Sequence, residues 1–133
     1  MTSESDLAPV LELERELKVI SIEIMKPRPA ECLHCYVYRM LEFGCRGLRW
    51  AVRYRDMSAP RATALHRRLM AKGAGCDCEI FMNGWTLRYE YQVRDPKSEE
   101  YKYPEELPAC RGVRTGSIQP CGLWMVRPRG LWW

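Results

Sequence analysis

Seven cysteines in 133 residues, four of them in two tight pairs, constrain this chain more than any other feature. The pairs are Cys32-Leu33-His34-Cys35 and Cys76-Asp77-Cys78. The opening Met1-Thr2-Ser3-Glu4-Ser5-Asp6 lacks the basic start and apolar run of a secretion leader, so the expected setting is the cytoplasm. There thiols stay reduced, and paired cysteines more often hold metal than form disulfides. The odd count also argues against a closed disulfide framework. Two close pairs far apart in sequence can bring four sulfurs to one ion, and Zn2+ prefers such a tetrahedral set. The first expectation is therefore one zinc held by Cys32, Cys35, Cys76 and Cys78. His34, Cys45, Cys110 and Cys121 are possible substitutes. The single residue between Cys76 and Cys78 is an unusual spacing; Gly73 and Gly75 just upstream supply backbone freedom for a sharp turn.

The length suits one domain with a modest core. No apolar stretch approaches the roughly 20 residues needed to span a bilayer, so no membrane partner is expected. The hydrophobic periodicity predicts a small α+β domain with two helices and a β-hairpin or small antiparallel sheet, stabilised by zinc. Residues 1–29 read as an N-terminal extension and linker, helical at first and strand-like from Val19, closed by Lys26-Pro27-Arg28-Pro29. Residues 30–133 read as the cysteine-rich domain and its tail. Within it, Leu33, Tyr36, Val37, Met40 and Leu41 make a helical stripe ending at Gly44. Leu48, Trp50, Val52 and Tyr54 alternate with arginines, which suggests a short strand. A second helix is expected after Ser58-Ala59-Pro60, with Ala62, Leu65, Leu69 and Met70 on one face and Gly73 closing it. Asn83-Gly84 between two β-like runs predicts a hairpin turn. Residues 95–109 read as an exposed loop, and Leu123-Trp124-Met125-Val126 as a further strand.

The net charge of +4 conceals segregation. Between Arg46 and Lys72 there are eight basic residues and one acid, whereas between Cys76 and Glu106 there are eight acids and four bases. A basic face carrying Arg46, Arg49, Arg53, Arg61, Arg67, Arg68 and Lys72 would attract polyanions, nucleic acid above all. The competing reading is a solvated surface that also offsets a thiolate-rich site. Trp50 and Trp85 are expected in the core, while Trp132 and Trp133 at the extreme end could dock on a partner or on the domain itself. His66 is expected at the surface.

The same residues also offer catalytic alternatives. Cys32 and Cys35 before a helix resemble a dithiol redox pair, in which the first cysteine is an exposed low-pKa nucleophile. A thioredoxin-like fold needs a strand leading into that turn, and Pro27-Arg28-Pro29 stands there instead. A zinc deaminase needs a His-x-Glu beside Pro-Cys-x-x-Cys, and Pro120-Cys121 is followed by Gly122-Leu123-Trp124. Glu79 could serve as a base on a zinc-bound water, although a solvated carboxylate is the simpler reading. A regulatory or interaction protein is thus favoured over an enzyme.

The runs Glu31-Cys32-Leu33-His34-Cys35-Tyr36, Arg39 to Cys45, Leu48-Arg49-Trp50, Pro60 to Leu65 and Gly75-Cys76-Asp77-Cys78-Glu79 resemble a bacterial family known only as domain of unknown function number 2695. The tail segments Pro108 to Val113 and Gln119-Pro120-Cys121 are similar to those of its longer members. The resemblance implies metal-type cysteines, a bacterial cytosolic setting, no assigned enzymatic activity, and a link between zinc supply and ribosome hibernation. On that footing the expected partner is the ribosome, RNA or an RNA-bound protein.

Overall fold

A computed structural model describes residues 4–128, with side chains from Val10 onward. It is a small α+β domain with one long N-terminal helix, several short helices and two minimal antiparallel sheets. Trp132 and Trp133 lie outside the described residues.

Helix α1 spans Glu4–Ile24 as one continuous element, so the strand expected from Val19 onward is helix instead. A lone strand there would leave its backbone groups unpaired, because both sheets form elsewhere in the chain. A helix satisfies them internally, which outweighs the modest β preference of Val19, Ile20, Ile22 and Ile24. The residues after α1 are pinned rather than loose. The Arg39 guanidinium donates to the Ile24 and Lys26 carbonyls at 3.1 and 2.7 Å, and the Tyr36 hydroxyl donates to the Met25 carbonyl at 2.6 Å. Arg39 in turn forks onto the buried Glu31 carboxylate at 2.7 and 2.8 Å.

Helix α2, Leu33–Met40, carries the expected stripe: Leu33, Tyr36, Val37 and Met40 are all buried, and a 3-10 turn over Leu41–Phe43 ends at Gly44. Helix α3, Arg49–Ser58, replaces the strand expected around Trp50. Its buried residues Trp50, Ala51 and Tyr54 follow the i, i+1, i+4 spacing of a helix face, and Tyr54 packs on Tyr36 with ring centroids 5.8 Å apart. No side chain of its own caps this helix. Asp77 does so from 27 positions away, its carboxylate accepting from the Trp50 and Ala51 amides at 2.9 and 3.0 Å. The helix is therefore completed by a tertiary contact that no local pattern announces.

Helix α4, Leu65–Ala71, begins later than expected, since Ser58 belongs to α3 and residues 59–64 form turns. Leu65 and Leu69 enter the core, Gly73 follows the helix end with φ of 77°, and Met70 is exposed. Asp77–Glu79 then form a helical turn, α5, which runs into a π-type turn over Ile80–Gly84. The hairpin expected at Asn83-Gly84 is not formed. A two-residue type I′ turn needs positive φ at both central residues, and neither Asn83 nor Gly84 adopts it. Asn83 instead spends its amide on the Gly73 carbonyl and the Glu79 carboxylate, at 2.8 and 3.1 Å.

Strand β1, Trp85–Leu87, pairs with the distant tail strand β4, Trp124–Val126, in the register Trp85↔Val126 and Leu87↔Trp124. Strands β2, Val93–Arg94, and β3, Tyr101–Lys102, make a minimal exposed hairpin, of which β3 lies within the region expected as loop. The β1–β4 pair closes an aromatic cluster in which Phe81 and Trp124 lie 5.0 Å apart and Tyr38 and Phe81 5.4 Å apart. Among the described residues no helix is long and apolar enough to cross a membrane.

Replacing Asp77 with Ala leaves two buried helix amides without an acceptor, so it should cost roughly 2 to 4 kcal/mol of unfolding free energy. Asp77→Asn keeps one good acceptor and should cost clearly less. Denaturant titration measures both, and equal stability of Asp77→Ala and wild type would refute the assigned cap.

Candidate metal centres

The two cysteine pairs do not converge. Cys32 and Cys35 gather with Cys110 and Cys121, all four sulfurs within 4.8 Å of one another, while Cys76 and Cys78 gather with Cys45 under the same limit. The expected set of Cys32, Cys35, Cys76 and Cys78 is thus divided between two clusters. The reason is that α2 presents its N-terminus to the C-terminal tail, whereas the Cys-Asp-Cys segment docks against the start of α3.

The first cluster is built at the N-cap of α2. Cys32 Sγ accepts from the Cys35 amide at 3.2 Å, as an N-cap side chain should. Cys110 Sγ accepts from the Cys32 and Gly112 amides at 3.3 and 3.4 Å, and Cys35 Sγ accepts from the Trp124 indole N–H at 3.3 Å. Backbone and indole donors aimed at sulfur are what stabilise thiolates around a cation. The Cys35 hydrogen bond to Cys32, helped by backbone donors and opposed by burial, lowers the Cys32 pKa to about 6. The same pairing drives that of Cys35 upward, and burial raises Cys121. The sulfurs of Cys35 and Cys121 lie 3.7 Å apart. A tetrahedron with metal–sulfur bonds of about 2.3 Å has edges of about 3.8 Å, so the spacing suits a shared ion. Cys32 and Cys121 are buried, and Cys35 and Cys110 partly so. The last two border an open groove of about 780 Å³, with Tyr38, Arg39 and Leu107 among its walls.

The second cluster lies at the surface. Gly44 and Gly47 flank Cys45-Arg46 with φ of 105° and 56°, conformations that only glycine adopts freely. This loop folds over the Cys-Asp-Cys segment, the Asp77 amide donating to the Gly47 carbonyl at 2.8 Å and the Cys78 amide to Cys45 Sγ at 3.4 Å. Asp77 is fully buried while its neighbours are not, so one residue between the cysteines suffices: the carboxylate turns inward and both sulfurs turn toward Cys45. Burial raises the Asp77 pKa, opposed by the two α3 amides and by Arg49. Burial also works against ionising Cys45, yet the Cys78 amide and thiol bring its pKa below the ordinary value.

His34, a possible substitute ligand, belongs to neither cluster. It is buried edge-on to Trp85 with ring centroids 4.4 Å apart, and burial lowers its pKa to about 3. Neither ring nitrogen has a hydrogen-bond partner. Glu79 is half-buried, its carboxylate accepting from the Asn83 side-chain amide at 3.1 Å. His66 is exposed, as expected.

The expected basic residues are spread over two helices and the loops that precede them. Arg46 sits on the Cys45 loop, Arg49 and Arg53 on α3, Arg61 on the turn before α4, Arg67 and Arg68 on α4, and Lys72 at its end. Arg53 is half-buried, its Nε sealed from solvent without a partner, so it is poorly placed for an external ligand. Arg46, Arg49, Arg61, Arg67 and Arg68 are exposed, and among the described residues none has a carboxylate in salt-bridge range. Arg49 lies over the Trp50 ring at 4.1 Å.

Fold and sites together define a small cysteine-rich α+β domain with two clusters that could each hold a metal ion. Residues 33–83 match the family model described as "Protein of unknown function (DUF2695)", in agreement with the resemblance seen in the sequence. No curated protein and no solved structure matches the chain. The family segment holds the second cluster entire but only Cys35 of the first, whose remaining sulfurs lie on either side of it. The tail cysteines were legible only as substitutes because loops, not a periodic element, carry them back.

Replacing His34 with Leu removes two unsatisfied buried nitrogens and leaves the cluster sulfurs untouched. It should leave metal stoichiometry unchanged and cost less than about 1.5 kcal/mol in denaturant unfolding. Loss of metal from His34→Leu with the fold intact would restore His34 as a ligand.

Proposed function

We propose that this chain is a zinc-stabilised regulatory or interaction protein, not an enzyme, that meets an RNA surface, the ribosome foremost, in a zinc-responsive manner. The observation that carries the reading is the four-thiol cluster of Cys32, Cys35, Cys110 and Cys121. Four cysteines with no open position are the donor set of a structural rather than a catalytic zinc site. Zinc there ties the start of α2 to two points on the tail, and through the tail to β4 and the aromatic cluster. The redox alternative finds little support, because Cys32, which must act as its exposed nucleophile, is fully buried.

Magnitudes make zinc responsiveness follow. A structural zinc site contributes roughly 10–16 kcal/mol that is also folding free energy. A domain this size has only about 5–15 kcal/mol of net stability. Losing the ion therefore removes most or all of the stability margin, so the amount of folded protein tracks zinc supply. Four thiolates around Zn2+ also leave a charge of −2, which helps explain why cations crowd the neighbouring segments.

The unpaired arginines support the polyanion partner. Cations without carboxylate partners are free to replace counterions along a phosphate backbone, and Arg49 stacked on Trp50 adds a flat guanidinium suited to unstacked bases. Lys72, half-buried at the end of α4, sits at the edge of this set.

Two measurements test the reading. Metal analysis of protein purified without added zinc should find zinc, and strong chelation should abolish the helical circular-dichroism signal; a metal-free chain that stays fully folded would overturn it. Replacing Arg61, Arg67 and Arg68 together with Gln should weaken binding to ribosomes or single-stranded RNA. The slope of log affinity against log salt should fall by about 2. An unchanged affinity and slope would remove the basic segment from the interface.

A further inference from the structure

We infer that Cys45, Cys76 and Cys78 form a second zinc site that is open and exchangeable, separate from the closed four-thiol centre. The inference deepens the zinc reading above and rests on it. Three sulfurs converge within 4.8 Å, at 3.3 Å between Cys45 and Cys78 and 3.2 Å between Cys76 and Cys78. Those separations are about half an ångström shorter than the edge of a zinc–thiolate tetrahedron, so an ion must spread them slightly. The glycine-flanked loop that carries Cys45 has open space around it and can give that distance.

Three thiols leave one tetrahedral position open to water or to an incoming ligand. The thiols give the site the soft character that favours zinc over magnesium or calcium.

The two centres differ in how an ion could leave. In the closed centre the sulfurs come from the α2 N-terminus and two widely separated tail positions, so release needs the tail to come away. In the open one Cys45 is exposed and sits on a four-residue loop between Gly44 and Gly47. A chelator can displace that sulfur first and strip the ion without disturbing the core. Asp77 keeps the site assembled in the meantime, since its amide and carboxylate hold the loop and α3 together whether or not an ion is present.

The test is zinc release from full-length protein, followed with a chromogenic chelator, alongside total zinc by mass spectrometry. Wild type should carry two zinc ions per chain and release them in two phases differing at least tenfold in rate. Cys45→Ser should carry one ion, lack the fast phase and keep the wild-type circular-dichroism spectrum. Cys121→Ser reports on the closed centre and should lose the slow ion or fail to fold. One ion per chain that survives in Cys45→Ser would overturn this inference and leave the structural zinc standing. No zinc in wild type would defeat both. A reductant-sensitive disulfide mapped by peptide mass spectrometry between two of Cys45, Cys76 and Cys78 would show them to be a disulfide-forming trio instead, and would also overturn it.

Discussion

The buried Asp77 carboxylate is the contact on which the arrangement of the middle of this chain depends. A carboxylate taken out of water must find donors, and here it finds the two orphan amides at the head of α3, which have no other cap. That exchange fixes where α3 begins and how the 44–48 loop lies. It also sets which way Cys76 and Cys78 turn, because residues on either side of an inward carboxylate can both face the loop. One interaction therefore turns an awkward cysteine spacing into a convergent pair.

The four-thiol cluster does the corresponding work at the other end. Cys32 caps α2 with its sulfur, Cys110 receives two backbone amides, and Cys35 receives the Trp124 indole, so each of these sulfurs has an N–H directed at it. These contacts bring a long, irregular tail back onto the first core helix. Little other regular structure holds that tail: β4 is three residues long, and residues 103–123 contain no helix or strand. Where hydrogen-bonded ladders are this short, sulfur-centred contacts must carry a larger share of the tertiary specification. The buried, unpartnered His34 beside Trp85 shows that the aromatic cluster is packed by shape at some cost in polar satisfaction.

How much of this was legible in the chain depends on whether the deciding contact was local. The α2 stripe was readable because Leu33, Tyr36, Val37 and Met40 all answer to one helical period. The strand expected at Leu48 to Tyr54 failed for an instructive reason. Trp50 and Tyr54 fit an alternating pattern and a four-residue pattern equally well, and the signal that separates the two, a helix cap, sits 27 residues downstream. Asn83-Gly84 misled in a similar way: the dipeptide favours a hairpin only where both residues take positive φ, and the Gly73 carbonyl and Glu79 carboxylate recruit Asn83 into a helical turn instead.

The amino-acid order alone established that this is a small α+β domain whose cysteines come in metal-type pairs, and that its cations and acids are segregated along the chain. Spacing within a pair is a local quantity, and the backbone between two nearby sulfurs allows few geometries. Which pairs share a centre was decided only by the folded chain, since it depends on loops that return Cys110 and Cys121 across about 75 residues or more to Cys32 and Cys35, and on a carboxylate that turns Cys76 and Cys78 toward Cys45. Loop paths have no period to read, so the assignment of sulfurs to centres is a property of tertiary packing.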